Sequence, residues 1–270
     1  GFSSLPCILW RKQTNAPNKF MGSGMLPAGA YVTLEHEYIL ILRKGPKREF
    51  KKETDKQNRR ASALFWEERN LWFSDIWLDI KGSPQALCDK DARKRSAAFP
   101  FELAYRLINM YSVKGDLVLD PFLGIGTTTS AAIACGRNSV GYEIENGLQD
   151  ANYRAKNLII EISQNIIRQR LVNHLAFVFQ RIKTKGKLKY DNVHYGFPIM
   201  TAQEKELQLN EPLNITTIEE NLSIVDYSTV PQQEFCKDWS KIFQEEKKNF
   251  IIENLKEQVS SKKFKQKSLF

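Results

Sequence analysis

The segment from Leu117 to Glu143 constrains this chain more than any other. Leu117-Val118-Leu119 is a short, wholly apolar run of the kind found inside a parallel sheet, and it ends at Asp120. Gly124 and Gly126 then let the backbone turn tightly and approach a ligand closely. Thr127 and Thr128 open an Ala-rich stretch to Cys135 that reads as a helix, whose first N–H groups would point at that ligand. Gly136 stands where a helix-terminating glycine belongs. Ser139-Val140-Gly141-Tyr142-Glu143 reads as the next strand, so the whole is one β-α-β unit. Glu143 follows Asp120 by 23 residues, and a carboxylate there can accept both hydroxyls of a ribose, as in dinucleotide sites. Thr129 occupies the place of the third glycine of the dinucleotide fingerprint, which argues against a nicotinamide cofactor.

Around this unit the chain changes character several times. Residues 5–12 read as a strand entering a loop, and residues 13–30 as a long Asn/Pro/Gly-rich loop. Residues 31–43 are β-branched and apolar and end as a buried strand. Residues 43–60 hold nine basic side chains against three acidic ones, and the aromatic cluster Phe65, Trp66, Trp72, Phe73 and Trp77 follows. Residues 81–95 are polar and basic again. Phe101, Ala104, Leu107, Ile108 and Tyr111 recur at helical spacing. Residues 150–182 read as one long helix with Ile159, Ile162, Leu171, Leu175 and Val178 in its apolar stripe. Residues 183–235 are polar with scattered turn signals and give no firm assignment. A last helix is expected over 238–258, before a frayed basic end at 262–267.

The string Asp120-Pro121-Phe122-Leu123-Gly124-Ile125-Gly126-Thr127-Thr128 resembles the first motif of the DNA amino-methyltransferases. Ser96-Ala97-Ala98-Phe99-Pro100-Phe101-Glu102-Leu103 resembles that family's tenth motif, which closes over the methionine end of the cofactor, and Gly141-Tyr142-Glu143-Ile144 resembles its second. Ile8 to Lys12 and Leu34 to Leu40 resemble the segments just before the target-recognition region, so the resemblance covers about residues 5–150. The motif order is that of the permuted β class. It implies an α/β, Rossmann-like S-adenosylmethionine-dependent methyltransferase fold, present here as a partial sheet with a mainly helical C-terminal extension. The implied division is core strands over 1–44, a target-recognition and DNA-contact region over 45–95, the cofactor-binding β-α-β part over 96–149, and the extension over 150–270.

The resemblance assigns the S-adenosylmethionine site to Asp120, Pro121, Phe122, Gly124, Gly126, Thr127, Thr128 and Glu143, with Phe99 and Pro100 beside it. Lys47, Arg48, Lys51, Lys52, Arg59 and Arg60 are expected to neutralise phosphates of double-stranded DNA, and Trp72, Phe73 and Trp77 to be ordinary core residues. His36 is expected to play a hydrogen-bonded structural role; His174 and His194 show no partner in the sequence.

The chemistry also needs Asp/Asn/Ser-Pro-Pro followed by an aromatic residue, to hold the target amino group and stack on the flipped base. No Pro-Pro occurs in the chain, so no catalytic residue is expected in it. The motif is expected on an N-terminal segment or a second subunit. The implied reaction is methylation of an exocyclic amino nitrogen in DNA, within a restriction–modification system. Cytosine N4 is favoured over adenine N6 by the wording of Ala97-Ala98-Phe99-Pro100 and Tyr31 to Glu37. The alternatives are a non-catalytic DNA-binding or regulatory subunit and an RNA methyltransferase.

Composition agrees with a globular, polyanion-binding chain. Of 270 residues 42% are hydrophobic and 26% charged, and the formal charge is +9. Four scattered cysteines suggest neither a zinc site nor a disulfide framework, no metal is expected, and a reducing, cytoplasmic setting without membrane insertion follows.

Overall fold

The computed structural model describes residues 1–12, 28–29, 35–80, 99–219, 221–237, 239 and 241. Most of the 13–30 loop, residues 31–34, the polar stretch 81–95, Ser96 to Ala98, nearly all of the expected 238–258 helix and the basic end lie outside the described residues.

The elements run in chain order. The strands β1 (Phe2–Ser4), β2 (Ile8–Arg11), β3 (His36–Ile39) and β4 (Leu42–Lys44) come first. The helices α1 (Glu53–Ala61) and α2 (Trp66–Trp72) and the short strand β5 (Ile76–Trp77) occupy the recognition region. Next stand α3 (Phe101–Tyr111), β6 (Leu117–Asp120), α4 (Thr127–Ala134) and β7 (Asn138–Gly141). The long helix α5 (Gln149–Lys185) leads to β8 (Tyr190–Asp191), β9 (Pro198–Ile199), β10 (Pro212–Glu219), β11 (Leu222–Tyr227) and α6 (Gln233–Lys237).

The β-α-β unit is formed as its sequence requires. β6 and β7 pair in parallel, Leu117 opposite Asn138 through Asp120 opposite Gly141. The strand expected over 139–143 stops at Gly141. A side chain there would run into Leu123, whose methyl carbons lie 2.6 and 2.7 Å from the position a Cβ would take, so glycine lets the cofactor loop close on the strand. Gly136 ends α4 with φ of 71°, a left-handed conformation open to glycine at little cost.

β2 is the middle strand of a three-stranded sheet, antiparallel to β3 and parallel to β5. Its inward face, Ile8 and Trp10, packs with Trp77, Ile80 and Leu103. The run expected to be one buried strand over 31–43 is two short strands, β3 and β4, broken at Leu40. It is also largely solvent-facing, with Tyr38, Leu40 and Leu42 exposed, because β4 pairs with the exposed β1 and not with the sheet interior.

A second core joins α3, α4 and α5 through Tyr105, Ile108, Ala131, Ala132 and Ile159. The extension forms a third with Phe65: Leu171, Leu175, Tyr195, Phe197, Ile199, Leu207 and Phe235 are buried together. The unassigned stretch 183–235 therefore holds real structure, including the antiparallel β10–β11 hairpin. Ile215 and Val225 pack against the α4 cluster, and the Tyr227 hydroxyl donates to the Ile133 carbonyl at 2.9 Å. Of the three aromatics expected in the core, Trp72 and Trp77 are buried, whereas Phe73 is 49% exposed, lying under the Arg69 guanidinium.

Candidate cofactor loop and basic groove

The loop after β6 is held by its own polar groups. Asp120 Oδ1 accepts the Phe122 N–H at 3.0 Å, and Oδ2 accepts the Thr128 hydroxyl at 2.5 Å. One carboxylate thus fastens the strand end, the loop and the first turn of α4. The Leu123 N–H donates to the Tyr142 carbonyl at 2.8 Å, folding the loop back on the chain beyond β7. Gly124 and Gly126 have φ of 56° and 83°, which side-chain-bearing residues adopt only under strain. Gly126 is the residue that opens α4, so the N–H groups of the first turn, Thr127 included, face the loop. Thr127 is buried; Pro121 is exposed and Phe122 is 87% exposed.

Glu143 sits across this loop. Its Oε2 accepts the Gly124 N–H at 2.7 Å and its Oε1 the Glu145 N–H at 2.9 Å. These backbone donors, Glu145 first, hold its carboxyl below the usual range, so it is ionised at neutral pH. A carboxylate has about four acceptor sites, which leaves capacity for hydroxyl donors. Pro100 caps the start of α3, and Phe99 packs between the first two cores, so both are part of the mortar beneath the unit.

The basic run is sorted by its partners. Arg48 pairs with Asp116 at 2.6 Å, and Arg60 with Glu53 at 2.8 Å and Glu206 at 2.9 Å. Lys51 pairs with Glu49 at 3.1 Å, but both side chains are exposed. Among the described residues Lys47, Lys52 and Arg59 meet no carboxylate, and Arg59 lies over the Phe50 ring. All but Lys52 line one groove of about 1240 Å³, which continues to Arg69, Asn70, Phe73 and the turn Thr201–Glu204.

The sequence had no means of showing what lies behind the groove. Arg170 of α5 grips Glu68 of α2 at 2.6 and 2.8 Å and donates to the Tyr105 hydroxyl at 2.9 Å. His174 finds the partners its sequence context hid: Glu67 at 2.8 Å, the Pro198 carbonyl at 3.1 Å and the Phe65 ring stacked at 4.0 Å. Glu67, His174 and Glu204 bring ligand-type atoms within 4.8 Å of one another. Glu204, however, accepts the Trp66 N–H at 2.9 Å and the Thr201 N–H and hydroxyl at 2.7 and 2.9 Å, which makes the cluster a joint between elements. His36 meets the edge of the Tyr38 ring at 5.0 Å; among the described residues no hydrogen bond to its side chain is seen.

The model of the DNA methylase family, which covers N6 and N4 amino-methyltransferases, matches residues 1–154. The chain belongs to this family. Among its relatives is the type II methyltransferase M.MthZI of Methanothermobacter thermautotrophicus, 52% identical over 221 residues, which are 82% of this chain and 61% of that protein. M.MjaI of Methanocaldococcus jannaschii is 54% identical over 149 residues, 55% of this chain and 48% of that one. The chain thus spans about half to three-fifths of these relatives. A match of 221 residues also reaches well past residue 150, so the likeness extends into the C-terminal extension. A Thermus thermophilus protein described as a DNA modification methylase, solved with S-adenosyl-L-methionine, is 34% identical with a TM-score of 0.45, covering 59% of this chain and 55% of that one. The β-α-β unit of this DNA methylase family member is the partial Rossmann-like sheet expected from its motifs. No helix among the described residues is long and apolar enough to cross a membrane.

Proposed function

We infer that the assembled protein transfers a methyl group from S-adenosylmethionine to an exocyclic amino nitrogen of a base in duplex DNA, as part of a restriction–modification system. The observation that carries this reading is the loop from Asp120 to Glu143. Two left-handed glycines, a helix N-terminus and an ionised carboxylate with free acceptor sites converge there, in a chain of the DNA methylase family. These residues fit a cofactor bearing a ribose and a charged amino-acid tail. Glu143 would take the ribose hydroxyls, while Thr127 and the first turn of α4 would face the loop's ligand. Asp120 keeps the loop in shape. The cofactor supplies a methyl group on a sulfonium, and this chain's residues bind and orient it. Glu143→Ala is expected to weaken S-adenosylmethionine binding by roughly 10- to 100-fold, the loss of two charge-assisted hydrogen bonds. Unchanged affinity by calorimetry would remove the ribose assignment.

The groove holding Lys47, Lys51 and Arg59 would take DNA phosphates. Cytosine N4 is the preferred target, on the wording of Ala97 to Pro100 and of Tyr31 to Glu37. The Pro-Pro-aromatic residues that hold the amino group would come from an N-terminal segment or a partner chain. Support for such a covering piece comes from the outer side of the β6–β7 pair, where Leu117 is 66%, Leu119 60% and Ile144 98% exposed. Such an apolar patch marks an interaction surface. The test is methylation of duplex DNA by this chain alone and with the remaining segment of a full-length relative, followed by mass spectrometry of the nucleosides. N4-methylcytosine only in the combined reaction is expected; turnover by the chain alone would overturn the division of labour, and N6-methyladenine the choice of base.

A further inference from the structure

The groove has a second wall that the recognition region does not supply. We propose that the turn Thr201–Glu204 of the C-terminal extension is part of the DNA-binding surface and lies against the phosphate backbone opposite Lys47, Lys51 and Arg59. This inference rests on the DNA-methylase reading and assigns a role to the extension within it.

Three observations carry it. The turn and the basic wall line one groove of about 1240 Å³, above the range of roughly 300–1000 Å³ common for small-molecule sites, which suits a polymer better than a small ligand. The two walls are fixed to each other. The Trp66 N–H, at the start of α2, donates to Glu204 at 2.9 Å, and Arg60 of α1 pairs with Glu206 at 2.9 Å. The one carboxylate on the turn is also withdrawn from the groove's field. Glu204 is 1% exposed and spends its oxygens on Trp66 and Thr201, which leaves the uncharged, exposed Ala202 and Gln203 facing outward.

Opposite them the cations are available. Lys47 and Arg59 meet no carboxylate among the described residues, and the Lys51–Glu49 pair is so exposed that it contributes little. A polyanion laid along the basic wall would therefore meet no opposing charge from the turn. At the end of α2, Arg69 over Phe73, with Asn70 beside it, continues the same wall.

The test is fluorescence anisotropy of a labelled random-sequence duplex with the full chain, titrated with salt. Ala202→Lys is expected to tighten binding about 3- to 10-fold and to steepen the log–log salt slope by about one counterion, while Ala202→Glu weakens it by a similar factor. Gln203→Lys and Gln203→Glu repeat the comparison at a second position. All four should melt as the parent does and bind S-adenosylmethionine equally. If Lys51→Glu with Arg59→Glu weakens binding and the four turn variants do not, the extension is not part of the surface and the proposal falls while the DNA reading stands. If none of these substitutions changes binding, both fall together. Preference for an RNA duplex of the same length would replace DNA as the occupant and overturn the proposal.

Discussion

Glu68→Ala is expected to remove about 3–5 kcal/mol of stability, the range for breaking a buried ion pair from one side. The Arg170 and Glu68 side chains are 9% and 11% exposed, and their contact is a two-pronged one at 2.6 and 2.8 Å. Removing the carboxylate leaves a guanidinium with Tyr105 and the face of Trp72 for company, and no counter-charge. It also removes the acceptor of the Phe65 N–H at the start of α2. The pair joins α2 of the recognition region to α5 of the extension, so the damage should be global. Urea unfolding should show a lower midpoint at unchanged slope. Replacing both partners together, Glu68→Leu with Arg170→Met, should recover much of the loss, because no charge is then left buried. A loss below about 1 kcal/mol for Glu68→Ala would mean that the charge is reached by water.

The second large effect is a dependence on pH. Lys114, in the turn before β6, donates to the Gln208 carbonyl and the Asn210 side-chain oxygen, both at 2.5 Å, and so ties the cofactor unit to the extension. Burial, then the positive charges of Arg137 and Arg170, push its ammonium from 10.5 down to about 7. A neutral amine still has two N–H groups for its two acceptors. Between about pH 7 and 10.5 the unfolded chain holds a proton that the folded one has released, so this residue's contribution to stability rises with pH. The slope is about 1.4 kcal/mol per unit, and the contribution is lost as pH falls through 7. Other groups titrate in that window, so the measurement is the difference between parent and Lys114→Met. That difference should shift in the parent's favour from pH 7 to 10; a flat difference would place the amine in contact with solvent.

The parts legible in the sequence are the local ones. The unit β6–α4–β7 was readable because strand, loop and helix each carry their own signal within 27 residues, and the two decisive glycines stand where the backbone turns left-handed. The helices α3 and α5 were readable from apolar spacing. α1 was not, since Glu53 to Ala61 has no apolar stripe and buries no residue. Its Asn58 side chain instead donates to the Lys114 carbonyl at 2.8 Å. The β10–β11 hairpin was missed for another reason: one face is covered and the other exposed, so Ile215 and Val225 are diluted by Asn214, Thr216, Thr217 and Ser223, and the connection from Glu219 to Leu222 has no glycine. The site followed the same divide. The loop ligands were foreseen, whereas Glu68 with Arg170 and Glu67 with His174 are 102 and 107 residues apart, and no spacing rule reaches that far.

The helix α5 begins six residues beyond Glu143 and passes behind the groove at Arg170 and His174 before it ends. Its 37 residues make a rod of about 55 Å. One straight bar therefore sets the gauge between the pocket that would store the methyl group and the channel that would hold the duplex. Adding a single residue between positions 158 and 168 would turn everything beyond it by about 100° and slide it about 1.5 Å. Arg170 and His174 would then point away from α2. The reach of the reaction is thus written as a residue count along one helix, and such a count tolerates exchange of its surface side chains but not a change in length.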